Sequence, residues 1–166
     1  SPAPAPKQPT LDEVANWKDG TLNPVLDPIA FEDAIIRSEI RPVMGYQHMA
    51  DDFATQGGDL QVYGIQARWA VTDRLALIFS KGGYNVVNPG AGPDLVGWGD
   101  LQFGAKYALI DKPEDEFILT GGVLLSVPTG EEEVFQGRGD GIWNIFFASV
   151  KGFGKFHLLS NVGVMV

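Results

Sequence analysis

The chain has 166 residues, a net charge of −9 and no cysteine. The absence of cysteine excludes disulfides, thiolate metal sites and cysteine nucleophiles, and the negative charge disfavours any role that neutralises nucleic-acid phosphates. No stretch approaches the roughly 20 consecutive apolar residues of a membrane-spanning helix. A barrel strand needs only about 9–11 residues of alternating polarity, so the composition remains compatible with a β-barrel in a membrane.

Residues 1–34 are predicted to lead into the fold. The first ten residues, SPAPAPKQPT, lack the charged and apolar regions of a signal peptide. They are typical of a spacer left after its removal, with an ordinary disordered tail as the alternative. Leu11, Val14 and Trp17 can share one face of a short helix that Gly20 would end.

From residue 35 onward the period of the sequence changes to two, which is the main signal of β-strands. In the fourth segment, for example, Phe103 and Tyr107 alternate with Gln102 and Lys106. The sixth segment is apolar on both parities, which leaves its faces unassigned. The seven predicted strands cover residues 36–48, 60–71, 75–84, 100–109, 117–127, 141–150 and 156–166.

The connections between these strands alternate in length. Residues 72–74, 111–116 and 152–155 form the short ones, and residues 49–59, 82–99 and 127–140 form the long ones. Outer-membrane barrels have tight periplasmic turns and long external loops, an asymmetry that a soluble barrel or sandwich has no reason to keep. We therefore predict an all-β, antiparallel up-and-down transmembrane β-barrel at residues 35–166, with residues 1–34 as a periplasmic lead-in.

Side-chain chemistry favours the same fold. The polar parity is poor in charge and rich in small residues, which suits the inside of a narrow barrel. Aromatic residues fall near the predicted strand ends, where amphipathic rings meet lipid headgroups. Because an odd number of strands leaves an unpaired edge, we expect further strands after residue 166 or a partner chain to complete the barrel. The aromatic residues at strand ends are Tyr46, Trp69, Tyr84, Trp98 and Tyr107.

Three segments in order suggest a family. Residues 97–107 are GWGDLQFGAKY, residues 124–130 are LLSVPTG, and the glycine-rich loop 137–141, GRGDG, precedes an aromatic strand. This order resembles the outer-membrane barrel family named for the MetA pathway of phenol degradation, and residues 23–42 resemble the segment before the first strand in related transporters. The resemblance implies pores for small molecules, including aromatic or apolar ones, and it carries no functional residues over.

Polar and charged residues on one parity are the candidate site. In the interior of a barrel they would create a field that favours some permeants over others. The alternative is a structural ion-pair network that plugs and stiffens a narrow barrel, since Glu39 can neutralise its neighbours. The predicted interior residues are Arg37, Glu39, Arg41, Gln66, Arg68, Gln102, Lys106 and Asn161.

No catalytic residues, metal site or cofactor are predicted. A hydrolase would need a Ser–His pair with an orienting group, and Ser160 lies three residues after His157, on the opposite face of a strand. Acidic residues in the long loops can hold divalent cations that bridge lipopolysaccharide, or they are ordinary solvated charge. These residues are Asp51, Asp52, Asp59, Asp94, Glu131, Glu132, Glu133 and Asp140.

Three functions fit these observations. The leading hypothesis is a passive outer-membrane channel, with the lipid bilayer, lipopolysaccharide and a small permeant as its partners. The second is a non-transporting barrel that serves the structure or assembly of the outer membrane. The third is a soluble β-barrel that carries an apolar ligand, a hypothesis that solubility without detergent would favour.

Overall fold

The computed structural model describes residues 17–21, 31–53, 55–81, 83–137 and 139–166. These residues form one antiparallel sheet of nine strands that curves into a half-barrel. Residues 17–19 are helical, and two 3-10 turns lie at Pro113–Asp115 and Glu132–Val134. The strands are β1 (Glu39–His48), β2 (Gly58–Ala70), β3 (Leu75–Lys81), β4 (Gly83–Pro89), β5 (Leu95–Trp98), β6 (Leu101–Lys112), β7 (Phe117–Val127), β8 (Ile142–Phe153) and β9 (Phe156–Met165).

Helices occur only as short stretches in the part of the chain that the structure describes, and none has the length and apolar character to cross a membrane.

The nine strands make seven passes across the sheet. The C-terminal half of β2 pairs with β3 and its N-terminal half with β4, so β3 and β4 are two parts of one pass. Likewise β6 pairs with β3 and β5 pairs with β4, which makes β5 and β6 parts of the next pass. The prediction of seven strands is wrong in number, because two of the passes are split and the described residues form nine strands.

The prediction of a long connection at residues 82–99 is also wrong. Strands β4 and β5 occupy most of it and form a hairpin whose tip is residues 90–94. Gly83, which fell in the predicted connection, lies inside the sheet opposite Gly64. A glycine in a strand commonly marks a close approach or an irregularity of pairing, and here it does so. The strict alternation of short and long loops therefore does not hold for this connection.

The two faces of the sheet differ as the alternation predicted. On β1, Ile40, Met44 and Tyr46 are 77%, 77% and 69% exposed on the convex face, while Glu39 and Arg41 are partly buried on the concave one. On β8, whose faces the sequence left unassigned, the concave positions are Asn144, Phe146, Ala148 and Val150, all buried.

Parts of the lead-in pack against the concave face. Trp17, Ala34 and Ile35 belong to the same buried cluster as Ile118 and Phe146 of β7 and β8. Strand β1 consequently begins at Glu39 and not at residue 36 as predicted, because the residues before it run through this interior. Of the short helix predicted from Leu11 to Gly20, only residues 17–20 are described; Leu11 and Val14 lie outside the described residues, as does Arg138 of the 137–141 loop.

Candidate functional site: the polar interior

The predicted interior residues lie on the concave face or in the segment that crosses it. In the register of β1 and β2, Glu39 is opposite Arg68 and Arg41 is opposite Gln66, so these four side chains share a face. The strand residues on the concave face are Glu39, Arg41, Gln66, Arg68, Gln102, Lys106 and Asn161, whereas Arg37 lies in the segment just before β1. Their part in selecting a permeant stays a prediction.

Lys106 is the most deeply buried charge of this face. Its Nζ atom donates to Glu32 Oε1 at 2.7 Å, to Asp33 Oδ1 at 2.7 Å and to the Asp33 main-chain oxygen at 2.9 Å. An ammonium group has three donor hydrogens, so this set of partners satisfies it completely. The Lys106 side chain is fully buried, and those of Glu32 and Asp33 are 2% exposed.

Arg68 holds the other side of Glu32. Its Nε and Nη2 atoms donate to Glu32 Oε1 and Oε2, both at 2.7 Å, in the bidentate geometry that makes arginine–carboxylate pairs strong and directional. Its Nη1 atom donates to Glu39 Oε1 at 3.0 Å. One guanidinium on β2 therefore joins the crossing segment to the first residue of β1.

Two further arginines complete the cluster toward solvent. Arg37 Nε lies 3.1 Å from Glu39 Oε2 and Arg37 Nη2 lies 3.5 Å from Asp33 Oδ2. Arg41 Nη2 donates to Glu39 Oε1 at 3.2 Å. We call the seven charged residues the inner network: Glu32, Asp33, Arg37, Glu39, Arg41, Arg68 and Lys106.

Further hydrogen bonds hold the main chain of the same segment in place. Asn161 Nδ2 on β9 donates to the main-chain oxygen of Glu32 at 2.8 Å, and Thr120 Oγ1 on β7 donates to the main-chain oxygen of Ala34 at 2.6 Å. Asp33 Oδ1 also accepts from the Ile35 amide at 3.1 Å. Together with Arg68 and Lys106, these bonds tie residues 32–35 to strands β2, β6, β7 and β9.

The electrostatics of Asp33 follow from these contacts. Burial by itself would raise the pKa of the Asp33 carboxyl, because it penalises the charged form. The Lys106 ammonium, through its charge and its hydrogen bond, outweighs that effect, helped by the charges of Arg37 and Arg68. The pKa of Asp33 therefore lies below its ordinary value of 3.8.

Residues 17–21 close the interior at the end that carries the short turns, which we call the turn end. Lys18 Nζ donates to Asp111 Oδ2 at 2.7 Å, and Thr21 Oγ1 shares a hydrogen bond of 2.8 Å with His157 Nδ1. The Trp17 ring meets the His157 ring edge-on, with 6.3 Å between their centroids. The turn end is thus filled by side chains of the lead-in.

The opposite end, which we call the loop end, is open. It holds a cavity of about 1150 Å³, here named the interior cavity, lined by the amides of Gln66, Gln102 and Asn144 and by apolar residues such as Val87 and Met49. Ligand sites in proteins are concave, largely apolar and furnished with a few polar groups, and this cavity has that composition. Gln66 and Gln102 therefore line the interior cavity, and Gln66 also lies opposite Arg41 of the inner network.

Sequence reasoning missed the two carboxylates at the centre of the site. Glu32 and Asp33 fell in the predicted lead-in, outside the barrel. A signal was nonetheless present, because the predicted interior held four cations and one carboxylate, Glu39. Buried charges are almost always paired, so this excess called for acidic partners from elsewhere in the chain.

The structure also places the candidate His157–Ser160 pair and the acidic loop residue Asp59. His157 is on the concave face, whereas Ser160 is on the convex one, where its hydroxyl lies 2.7 Å from Ser149 Oγ. Asp59 accepts hydrogen bonds from Gln61 and Asn88. No group of three or more histidine, aspartate or glutamate side chains in the described part of the chain has a geometry that could hold a metal ion.

Comparisons with protein-family models, with curated proteins and with solved structures find no match to this chain. The resemblance to the MetA-pathway barrel family therefore stays a prediction from residues 97–107, 124–130 and 137–141.

Proposed function

We propose that the chain forms the wall of an outer-membrane channel for the passive passage of small molecules, including aromatic or apolar ones. The half-barrel supplies a convex face for lipid and a concave face for the permeant. The bilayer, lipopolysaccharide and the permeant are its proposed partners. The acidic loop residues at the loop end are the proposed contacts to cations that bridge lipopolysaccharide.

The apolar convex face carries this proposal. On β9, Phe156, Leu158, Val162 and Val164 are 78%, 63%, 69% and 65% exposed. Soluble monomers rarely expose continuous apolar patches of this kind. From Phe156 to Met165 strand β9 rises about 31 Å, and a tilt of about 45° leaves about 22 Å of height, close to the apolar band of about 25 Å in outer-membrane barrels.

The polar groups on the convex face are compatible with a lipid environment. Ser149 and Ser160 lie opposite each other and share a hydrogen bond, so each hydroxyl has a protein partner. Lys151 bonds the main-chain oxygen of Asp115 at the turn end, where a lysine can extend to the headgroups. Both arrangements reduce the cost of polar atoms in hydrocarbon.

Closure of the barrel belongs to the same proposal. Among the described strands, β1 pairs with β2 alone and β9 pairs with β8 alone. Backbone groups left unpaired in hydrocarbon cost several kcal/mol each, so a membrane-embedded wall needs both edges covered. We propose that further strands or a partner chain cover them.

One observation favours a second function, a non-transporting barrel that supports the structure of the outer membrane. The inner network and residues 17–21 fill the turn end of the concave face with side chains that mostly bond to one another or to neighbouring strands. A filled interior is typical of a stiffened barrel that conducts nothing. Measured conductance decides between the two.

The test is reconstitution of the full chain into lipid vesicles, followed by measurement of small-solute flux. A channel gives flux above protein-free vesicles, and its folded form migrates differently on a gel before and after heating. Insertion without flux would favour the structural barrel. A protein that remains folded and soluble without detergent would overturn both and leave the soluble carrier.

A further inference from the structure

The interior cavity has a counterpart on the convex face. A groove of about 950 Å³, here named the outer groove, lies outside strands β1 to β6 and is lined mostly by apolar side chains, with Thr129 and Glu131 also on its lining. Met44, Ile65 and Trp98 are among the exposed residues that form it. Tyr84 packs edge-on against Trp98 with 5.5 Å between the rings, which fixes the indole at one end of the groove.

The two cavities meet at the same piece of wall. Val43, Gly64, Ile65, Gly83 and Gly99 line both of them. Gly64 lies opposite Gly83, and the Gly99 amide donates to the Gly83 oxygen at 2.8 Å, so the three glycines adjoin one another. A glycine adds only its backbone to the thickness of a sheet. The wall between groove and cavity is therefore at its thinnest here.

This place is also where the pairing of the sheet changes. On one side of it β3 pairs with β6, and on the other β4 pairs with β5, with residues 99–100 outside both strands. Breaks in regular pairing are where a sheet deforms most readily. In contrast, the concave face toward the turn end is filled by the inner network, with Lys106 and Glu32 nearly inaccessible.

We propose that the outer groove and the interior cavity are two halves of one binding site for a small apolar molecule. The thin wall at Gly64, Gly83 and Gly99 joins the two halves and acts as a lateral portal. The molecule would exchange between the bilayer and the interior at this portal and not through the filled turn end. The apolar groove and the mixed amide and aliphatic cavity suit an apolar body with few polar groups. This inference rests on the proposed membrane channel.

The chain offers a substitution that should block the portal without disturbing the sheet. A Cβ atom at Gly99 would lie 3.4 Å from Asn85 Nδ2 and 3.6 Å from the Gly83 oxygen, which are ordinary contacts. At Gly83 it would lie 2.5 Å from the Tyr63 oxygen, so substitution there would displace β2. Gly99→Leu is therefore the blocking variant, and Ala105→Leu, which adds bulk on β6 away from the groove, is its control.

The experiment uses the full chain in preformed vesicles whose lipid contains a photoactivatable apolar probe, an aryl diazirine. After illumination, mass spectrometry measures adducts at Met49 and Val87, which are buried against the interior cavity. The native chain and Ala105→Leu should be labelled there alike. In Gly99→Leu the interior labelling should fall about tenfold, equivalent to an added barrier of about 1.4 kcal/mol.

Labelling of Met44 and Trp98 without Met49 or Val87 in the native chain would make the groove a lipid contact and overturn the portal. Equal interior labelling in Gly99→Leu would overturn it too, since the probe would enter elsewhere. Small-solute flux is measured in the same vesicles. Flux without interior labelling refutes the portal and leaves the channel standing, whereas absent flux refutes the channel.

Discussion

Lys106 offers the most direct test of the inner network at the scale of single residues. Removing its ammonium in Lys106→Met leaves Glu32 and Asp33 buried with less compensation. Breaking a buried ion pair from one side costs about 3–5 kcal/mol, so the midpoint of urea unfolding in detergent should fall markedly. Lys151→Met is the control, and as a surface change it should stay within about 0.5 kcal/mol.

A second set of variants separates lost charge from lost packing at Lys106. In the double variant Lys106→Met, Asp33→Asn, one buried cation and one buried carboxylate are both neutralised while Glu32 keeps its bidentate pair with Arg68, so part of the lost stability should return. Equal stability of Lys106→Met and Lys151→Met would show that the network does not hold the fold together.

The pH dependence of stability follows from the lowered pKa of Asp33. Its carboxyl binds a proton more weakly in the folded than in the unfolded state, so its contribution is complete above the ordinary value of 3.8 and is lost as the pH falls through the folded pKa. Between pH 7 and pH 5 the Asp33 contribution should be flat. When the free energy of unfolding is measured against pH, Asp33→Asn should reduce the loss of stability on acidification only below about pH 3.8. An effect of the substitution confined to pH 5–7 would refute this assignment.

At the scale of elements, the segment of residues 31–37 acts as an inner brace. Thr120→Val removes the donor to the Ala34 oxygen at nearly constant shape, and the lost hydrogen bond should cost about 1 kcal/mol. Amides of residues 31–37 should then exchange hydrogen faster. Thr129→Val, whose hydroxyl accepts from the Leu101 amide at an exposed position, should leave that exchange unchanged. Unaltered exchange in Thr120→Val would mean that β7 does not anchor the segment.

The sequence predicted the strands of this fold better than its brace. Strands such as β6 and β9 follow from period-two alternation, because one side meets the interior and the other does not. The residues of the brace show no regular alternation of polar and apolar side chains, and their partners are far away in the sequence. Lys106, for example, is 74 positions from Glu32. The brace also explains why the faces of β8 were unassigned, since Ala34 and Ile35 make the concave surroundings of Phe146 apolar.

The split passes were missed for a related reason. Nothing in the local sequence around Gly83 and Gly99 distinguishes a loop from a place where one strand changes its partner. The pairing of β2 with both β3 and β4 decides it, and that pairing is a property of the whole sheet.

At the scale of the whole molecule, the surroundings of the convex face decide the function. Phe147 and Phe153 lie on this face of β8, 50% and 59% exposed, with Phe153 beside the turn at residues 154–155. In a bilayer, arginine at mid-depth costs about 2–4 kcal/mol and near the interface about 0–1. Phe147→Arg should therefore destabilise the vesicle-embedded fold far more than Phe153→Arg, as measured by reversible unfolding. Similar small effects of both substitutions would place the convex face in water, and the channel would have to be abandoned.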